Sequence, residues 1–240
     1  MLSKLGKDKY DRHMVGVRER ARTELTAQIK RTARKHLARD GASGLSLRAV
    51  ARDLDMVSSA VYRYFPSRDD LLTALIIDAY DAFGAAAERA DAAVDRSDLL
   101  GRWRAAGRAA YKWSGSHAAE YSLIFGSPVP GYDAPEDTIG PATRFTNVLL
   151  GILVDAQHSG LRPPTDSSLD GMVLADLKEL LSRIDVDIDA EWLAAGIHAW
   201  TSLIGVISFI RFGHLHNVID DCDAYFENVL DRLGRSVIDV

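Results

Sequence analysis

The sequence predicts an all-α protein, a helix-turn-helix unit followed by a larger helical domain. Three observations lead there. Apolar residues recur at spacings of three and four through most of the 240 residues, and no stretch alternates apolar and polar residues over a useful strand length. Few of the seven prolines fall inside the periodic segments. Residues 46–72, SLRAVARDLDMVSSAVYRYFPSRDDLL, read as a short helix, a tight turn, a second short helix and a capped third. Such a unit can set one helix in the major groove of DNA.

The elements follow in order. Residues 1–18 carry Lys4, Lys7, Lys9, Arg12 and Arg18 with little periodicity. They are expected to form a flexible basic arm, which either reaches phosphates and the minor groove or is a tail without a role. Leu25, Ile29, Ala33 and Leu37 mark the first helix, with Lys30, Arg31, Arg34 and Lys35 on its other faces and Gly41 and Gly44 ending it. Ser46 is a good N-cap, because its hydroxyl can accept from an orphan N–H. Leu47, Val50, Ala51 and Leu54 then share one face, opposite Arg48 and Arg52. Asp55 stands at the turn, where a left-handed backbone is needed.

The recognition helix starts near Ser58 or Ser59, either of which is a candidate cap. It carries Ala60-Val61-Tyr62-Arg63-Tyr64-Phe65. Val61 and Phe65, four apart, face inward, and Tyr62 and Arg63 then face the duplex. Pro66 ends the helix by forcing the residue before it out of the helical region. Ser67 and Asp70 make a capping-box pair, and Arg68 sits at a helix N-terminus that suits a phosphate. Ser46, Arg48, Ser58, Ser59, Tyr62, Arg63, Tyr64, Ser67 and Arg68 are the candidate DNA-binding residues.

Leu71, Leu72, Leu75, Ile76, Ala79, Tyr80 and Phe83 mark a long helix leading into the larger domain, a lever for a ligand signal. Further helices are expected at 97–114, 117–126, 138–158, 167–184, 189–212 and 221–234, with Gly- and Pro-marked loops at 126–135 and 160–166. The implied organisation is an arm at 1–18, a DNA-binding unit at 19–67 and a helical ligand-binding and dimerisation domain at 68–240.

Charge supports this division. The whole chain carries −5, but residues 1–70 hold 16 Lys and Arg against 9 Asp and Glu, leaving 13 against 25 for the rest. The basic part is the footprint of phosphate binding, and the acidic part avoids the duplex. A single cysteine, Cys222, allows no intrachain disulfide, and no apolar run opens the chain, so a cytoplasmic protein is expected. Trp192 to Ile210 is 19 residues without a charge, within spanning length. Its His198, Thr201, Ser202, Ser208 and two glycines suit a buried helix better than a membrane span.

The segment from about Arg22 to Leu75 closely resembles the helix-turn-helix unit of TetR/AcrR-type transcriptional regulators. It departs from them at Asp55, where they usually carry Gly, at Val57, where they carry a Ser cap, and at Arg68, where they carry Lys. His117-Ala-Ala-Glu-Tyr-Ser-Leu-Ile-Phe-Gly-Ser-Pro and Trp200-Thr-Ser-Leu-Ile-Gly resemble a C-terminal domain type of such regulators, with Ile204 where that type has His. The resemblance implies a repressor that binds a double-stranded operator and is released by a small, largely apolar effector. It also implies a ligand pocket, for which Trp103, Tyr111, Trp113, His117, Tyr121, Phe125, Phe145 and His198 are the candidate residues. A homodimer is expected through the helices near 189–212 and 221–234, whose apolar residues include Tyr225, Phe226, Val229, Leu230 and Leu233.

No phosphate loop, GxSxG or HExxH motif is present. His214, His216 and Cys222 match no zinc spacing, and Asp185, Asp187 and Asp189 lack the Gly and Glu of a calcium loop. No cofactor, metal or catalytic residue is therefore expected. The rival classes for the larger domain are a helical enzyme and a lipid-carrying bundle. A buried acid–base pair in its pocket would favour the enzyme.

Overall fold

The computed structural model describes residues 2–164, 170–184 and 186–238, with side chains from Arg18 onward. Among these residues the chain forms α-helices, two short 3-10 turns and no strand. It divides into two compact units, Met1–Ile76 with Ser127–Ala134, and Ile77–Gly126 with Pro135–Val240. The boundary thus falls inside a helix rather than at 67, and the first unit takes in a distant loop.

The first unit contains α1 (Leu2–Asp40), α2 (Leu47–Asp53), α3 (Ser58–Val61) and the start of α4 (Arg68–Ala92). The backbone of α1 is helical through the segment expected to be a flexible arm. The side chains of its lysines lie outside the described residues, and Arg18 to Glu24 are exposed. Further along, Ile29, Ala33 and Leu37 are buried at the predicted spacing, as are Leu47, Val50, Ala51, Val61, Phe65, Leu71, Leu72 and Leu75. Each large apolar side chain so removed from water contributes about 1.5–3 kcal/mol.

The second unit holds the rest of α4 with α5 (Leu99–Ser116), α6 (Ala118–Phe125), α7 (Ile139–His158), α8 (Gly171–Arg183), α9 (Ala190–Arg211) and α10 (Cys222–Ile238). The expected start of α8 at 167 lies outside the described residues, as does Asp185. α9 packs against α5, α7, α8 and α10, and α5 against α6, α7 and α10. α9 is long and apolar enough to cross a membrane, and only 22% of its most apolar stretch is buried within the chain, so it is not the buried helix expected for Trp192 to Ile210.

Two glycines let α10 lie close on α5. A Cβ at Gly107 would fall 2.3 Å from a Leu230 methyl, and one at Gly234 would fall 2.5 Å from Trp103. Trp103 Nε1 donates to the Leu230 carbonyl at 2.9 Å. Phe226 and Leu230 are consequently buried inside their own chain. Of the α10 stripe, Phe226 and Leu230 thus face α5, while Tyr225 is exposed and Val229 and Leu233 are half-buried.

Arginines tie the helices at their rims. Buried Arg102 of α5 bonds Asp91 at 2.7 Å and Asp155 at 2.6 Å, where Arg96 also reaches. Burial works against the Asp155 carboxylate, yet the hydrogen bonds from Arg102 and Arg96 outweigh it and hold its pKa below the ordinary value. The stability this group adds is present above its unfolded pKa and is lost as pH falls through the lowered folded one. Arg144 of α7 grips α4 through Glu88 at 2.5 Å and Asp81 at 2.7 Å.

Leu230→Ala is expected to lower the unfolding free energy by about 2–5 kcal/mol, because the cavity lies between two close-packed helices. Urea denaturation reads this directly, and a loss under 1 kcal/mol (roughly one exposed side chain) would remove α10 from the core.

Candidate nucleic-acid interface and aromatic cluster

In the first unit, the geometry around α3 starts with Ser46. It caps α2, its hydroxyl accepting from the Ala49 N–H at 3.5 Å. Asp55 adopts φ 54 at the turn, the left-handed conformation the spacing requires. Val57, not Ser58 or Ser59, is the N-cap of α3, and it provides no side-chain bond. α3 is also shorter than the expected helix. Tyr62 to Tyr64 form turns after Val61, and the Phe65 N–H still reaches the Val61 carbonyl at 3.1 Å. The Arg63 and Tyr64 N–H groups bond the Ala60 and Val61 carbonyls, the tighter three-residue pattern common at helix ends.

The nine candidate DNA contacts separate into two groups. Arg48, Ser59, Tyr62 and Arg63 are exposed, with Ser58 half-buried beside them. Buried Val61 and Phe65 anchor the opposite side. The others are engaged with their own chain. Tyr64 is half-buried, with Arg22 of α1 lying over its ring at 5.8 Å. The Ser67 hydroxyl donates to Asp70 at 2.7 Å and accepts from the Asp70 N–H at 3.0 Å, closing the expected capping box. Arg68 donates to the Ala42 carbonyl at 2.9 Å and pairs with Asp69 at 3.2 Å. Ser46 likewise serves its helix.

Sequence reasoning missed one contact. His36 is 2% exposed and donates from Nε2 to Asp53 at 2.6 Å, joining α1 to α2. This bond holds the Asp53 carboxyl below its ordinary pKa. Such a pairing spans 17 residues and has no local signature.

In the second unit, Phe83 is the centre of an aromatic cluster. Its ring lies 5.3 Å from Trp113, 5.3 Å from Phe125 and 4.7 Å from Phe145. Tyr121 joins through Phe125 at 5.0 Å, and Trp113 stacks on His117 at 4.8 Å. Tyr121 is fully buried, and burial pushes its hydroxyl up to about 12. That hydroxyl hydrogen-bonds Ser208 at 2.8 Å.

Four of the eight candidate ligand residues, Trp113, Tyr121, Phe125 and Phe145, therefore gather around Phe83, which the sequence marks only as a helix position. The other four do not, and His117 is exposed and stacks on the outer side of Trp113. Trp103 is committed to α10. The Tyr111 ring stacks on Phe226 at 4.0 Å, under Arg211 at 4.1 Å, and its hydroxyl donates to Asp223 at 2.6 Å. His198 is exposed on α9. The four converging side chains pack with Phe83 and leave no open space among them to enter without displacing part of that packing.

Comparison with known proteins agrees with both halves. Residues 29–75 match the family described as bacterial regulatory proteins, tetR family. Residues 103–233 match the tetracyclin repressor-like C-terminal domain. The HTH-type transcriptional regulators Rv1816 of Mycobacterium tuberculosis and Mb1846 of Mycobacterium bovis are each 37% identical over 204 residues, 83% of this chain and 86% of theirs. A crystal structure of the regulatory protein SCO4313 is 32% identical with a TM-score of 0.75, covering 90% of this chain and 97% of that one. A tetR-family regulatory protein from Rhodococcus RHA1 shares the fold at a TM-score of 0.60 and 18% identity, over 88% of this chain and 96% of its own.

Because Arg68 holds the α1–α2 loop, Arg68→Ala is expected to destabilise the first unit by about 0.5–1.5 kcal/mol even without DNA. Amide hydrogen exchange of residues 42–75 measures this. Unchanged protection would assign the side chain wholly to phosphate.

Proposed function

The chain belongs to the TetR family of bacterial transcriptional regulators, and from that premise we propose that it is a repressor released from its operator by an apolar small molecule. The reading is carried by one observation. A left-handed turn and two buried anchors, Val61 and Phe65, leave Tyr62 and Arg63 exposed at the end of α3. Arg63 reads base edges, where guanidinium groups discriminate by paired hydrogen bonds. Arg48 and Ser59 hold phosphates, which position the helix without carrying sequence information. The basic residues of 1–18 add to the same electrostatic attraction.

One such head makes too few contacts for tight specific binding, so two copies act on half-sites spaced about one helical turn, roughly 34–36 Å, or a multiple of it. The face that joins them is on α9. Ile197, Thr201 and Phe209 are exposed there, Phe209 by 54%, and Phe212 is exposed just past its end. A Cβ at Gly205 would meet nothing within 4 Å, leaving room for a second helix to approach. An apolar face of that length left in water is what a self-complementary interface covers. α10 contributes its outward polar residues and Tyr225 at the edge.

The effector belongs among Phe83, Trp113, Tyr121, Phe125 and Phe145. Rings on most sides and one hydroxyl pair, Tyr121 and Ser208, select a largely apolar molecule, with Arg211 the charge felt nearest at Tyr121. Its binding and DNA binding are linked through α4, which belongs to both units, and each weakens the other by the same factor.

Two measurements test this. With the duplex enriched from a random library as probe, Arg63→Ala is expected to weaken binding by about 1–3 kcal/mol and relax preference at one position per half-site. Equal affinity and unaltered preference would remove Arg63 from base readout. Gly205→Glu is expected to yield a folded monomer in sedimentation and to abolish operator binding, whereas a dimer that survives this change would move the interface off α9.

A further inference from the structure

An exposed apolar side chain is common on a protein surface, so its position is what gives it meaning. Among the described side chains of the first unit, the large apolar ones left exposed are Val57 and Tyr62. They stand at the two ends of α3, Val57 as its N-cap and Tyr62 as its C-cap. Val57 is the more exposed, at 70%. The other large apolar side chains exposed among the described residues lie in the second unit.

The Val57 side chain does little for the fold. Valine is among the residue types least suited to an N-cap, and here it gives α3 no side-chain bond. The core contacts of α3 are made by Val61 and Phe65 instead. The Val57 backbone, by contrast, is fixed on both sides. The Met56 N–H bonds the Ala51 carbonyl of α2 at 2.9 Å, and the Val57 carbonyl accepts from the Ala60 N–H at 2.9 Å. Left-handed Asp55, φ 54, sets the direction of the chain just before it. A β-branched side chain on a fixed backbone has few rotamers. Val57 therefore presents its two methyl groups in a nearly constant place and loses little freedom on contact.

A recognition helix in a helix-turn-helix unit brings its N-terminal residues to base edges in the major groove. The polar groups exposed around α3, Arg48, Ser59 and Arg63, can donate or accept hydrogen bonds there. Valine can do neither. The apolar group that a base pair presents in the major groove is the C5 methyl of thymine. We propose that Val57 is a specificity-determining residue that packs on a thymine methyl and so fixes thymine at one position for each bound head. At cytosine the contact would lose the methyl and set valine beside an amino donor that it cannot satisfy. Arg63 and Val57 then read different positions by different means, one by hydrogen bonds and one by apolar contact. This rests on the reading of α3 as the element that enters the groove.

The test uses the full chain and the duplex it enriches from a random library, remade with deoxyuridine for thymidine one position at a time. Uracil keeps every hydrogen-bonding group of thymine and lacks only the methyl. One such replacement per bound head is expected to weaken native binding about fourfold, the worth of one buried carbon. Val57→Ser, which restores a capping side chain, and Val57→Ala should each bind the thymine and uracil duplexes equally. Selection by Val57→Ser should also stop fixing thymine at that position and keep the rest of the preferred sequence. An enriched duplex with no uracil-sensitive position would overturn the Val57 contact alone. So would a uracil penalty that both Val57 variants retain, above all one that Tyr62→Ala removes, since the methyl would then be read from the other end of α3. Enrichment of no duplex by the native chain would overturn the groove reading of α3 and the contact together.

Discussion

A helix of four residues cannot hold itself. One turn fixes several dihedral angles for a single hydrogen bond, so nucleation is unfavourable and an isolated helix of that length does not persist in water. α3, Ser58 to Val61, is such a helix, and the exposed Tyr62 and Arg63 follow directly on its end. Its position is set entirely from outside. Val61 and Phe65 enter the core, Asp55 turns the chain in a left-handed conformation, and Pro66 stops the helix. The surrounding bonds then keep those anchors in place: His36 to Asp53, Arg68 to Ala42, Arg22 over Tyr64 and the Ser67–Asp70 box. Ser46, Tyr64, Ser67 and Arg68, which would suit DNA by type, serve instead to hold this unit together.

The second unit meets a different demand. On the proposed reading it must be stable yet admit a guest. Its periphery is tied by arginine pairs and by the α5–α10 contact, where glycine allows near backbone-to-side-chain packing. Its centre is a set of rings around Phe83 with one hydroxyl pair, Tyr121 and Ser208. Ring-to-ring contacts are non-directional enough to be replaced by a ligand's own apolar surface, whereas the rim bonds are not. The division of labour places adaptability at the cluster and rigidity at the rim.

α4 ties these demands together because it is common to both units. Phe83 on its later turns is the hub of the cluster, and Leu71, Leu72 and Leu75 on its earlier turns are buried in the first unit.

The sequence by itself determined the helical class, the helix-turn-helix unit, the left-handed position at Asp55, the capping box at Ser67 and Asp70, and the inward pair Val61 and Phe65. Each of these signals is complete within one or two turns of chain. Only the tertiary structure decided that α10 buries Phe226 and Leu230 against α5, that Phe83 rather than Trp103 or Tyr111 centres the aromatic cluster, that Arg68 and Tyr64 turn toward their own chain, and that residues 127–134 join the first unit. Helical periodicity states which residues share a face but not what covers that face. The covering partner lies as far as 127 residues away for Trp103 and Leu230 and is chosen by packing.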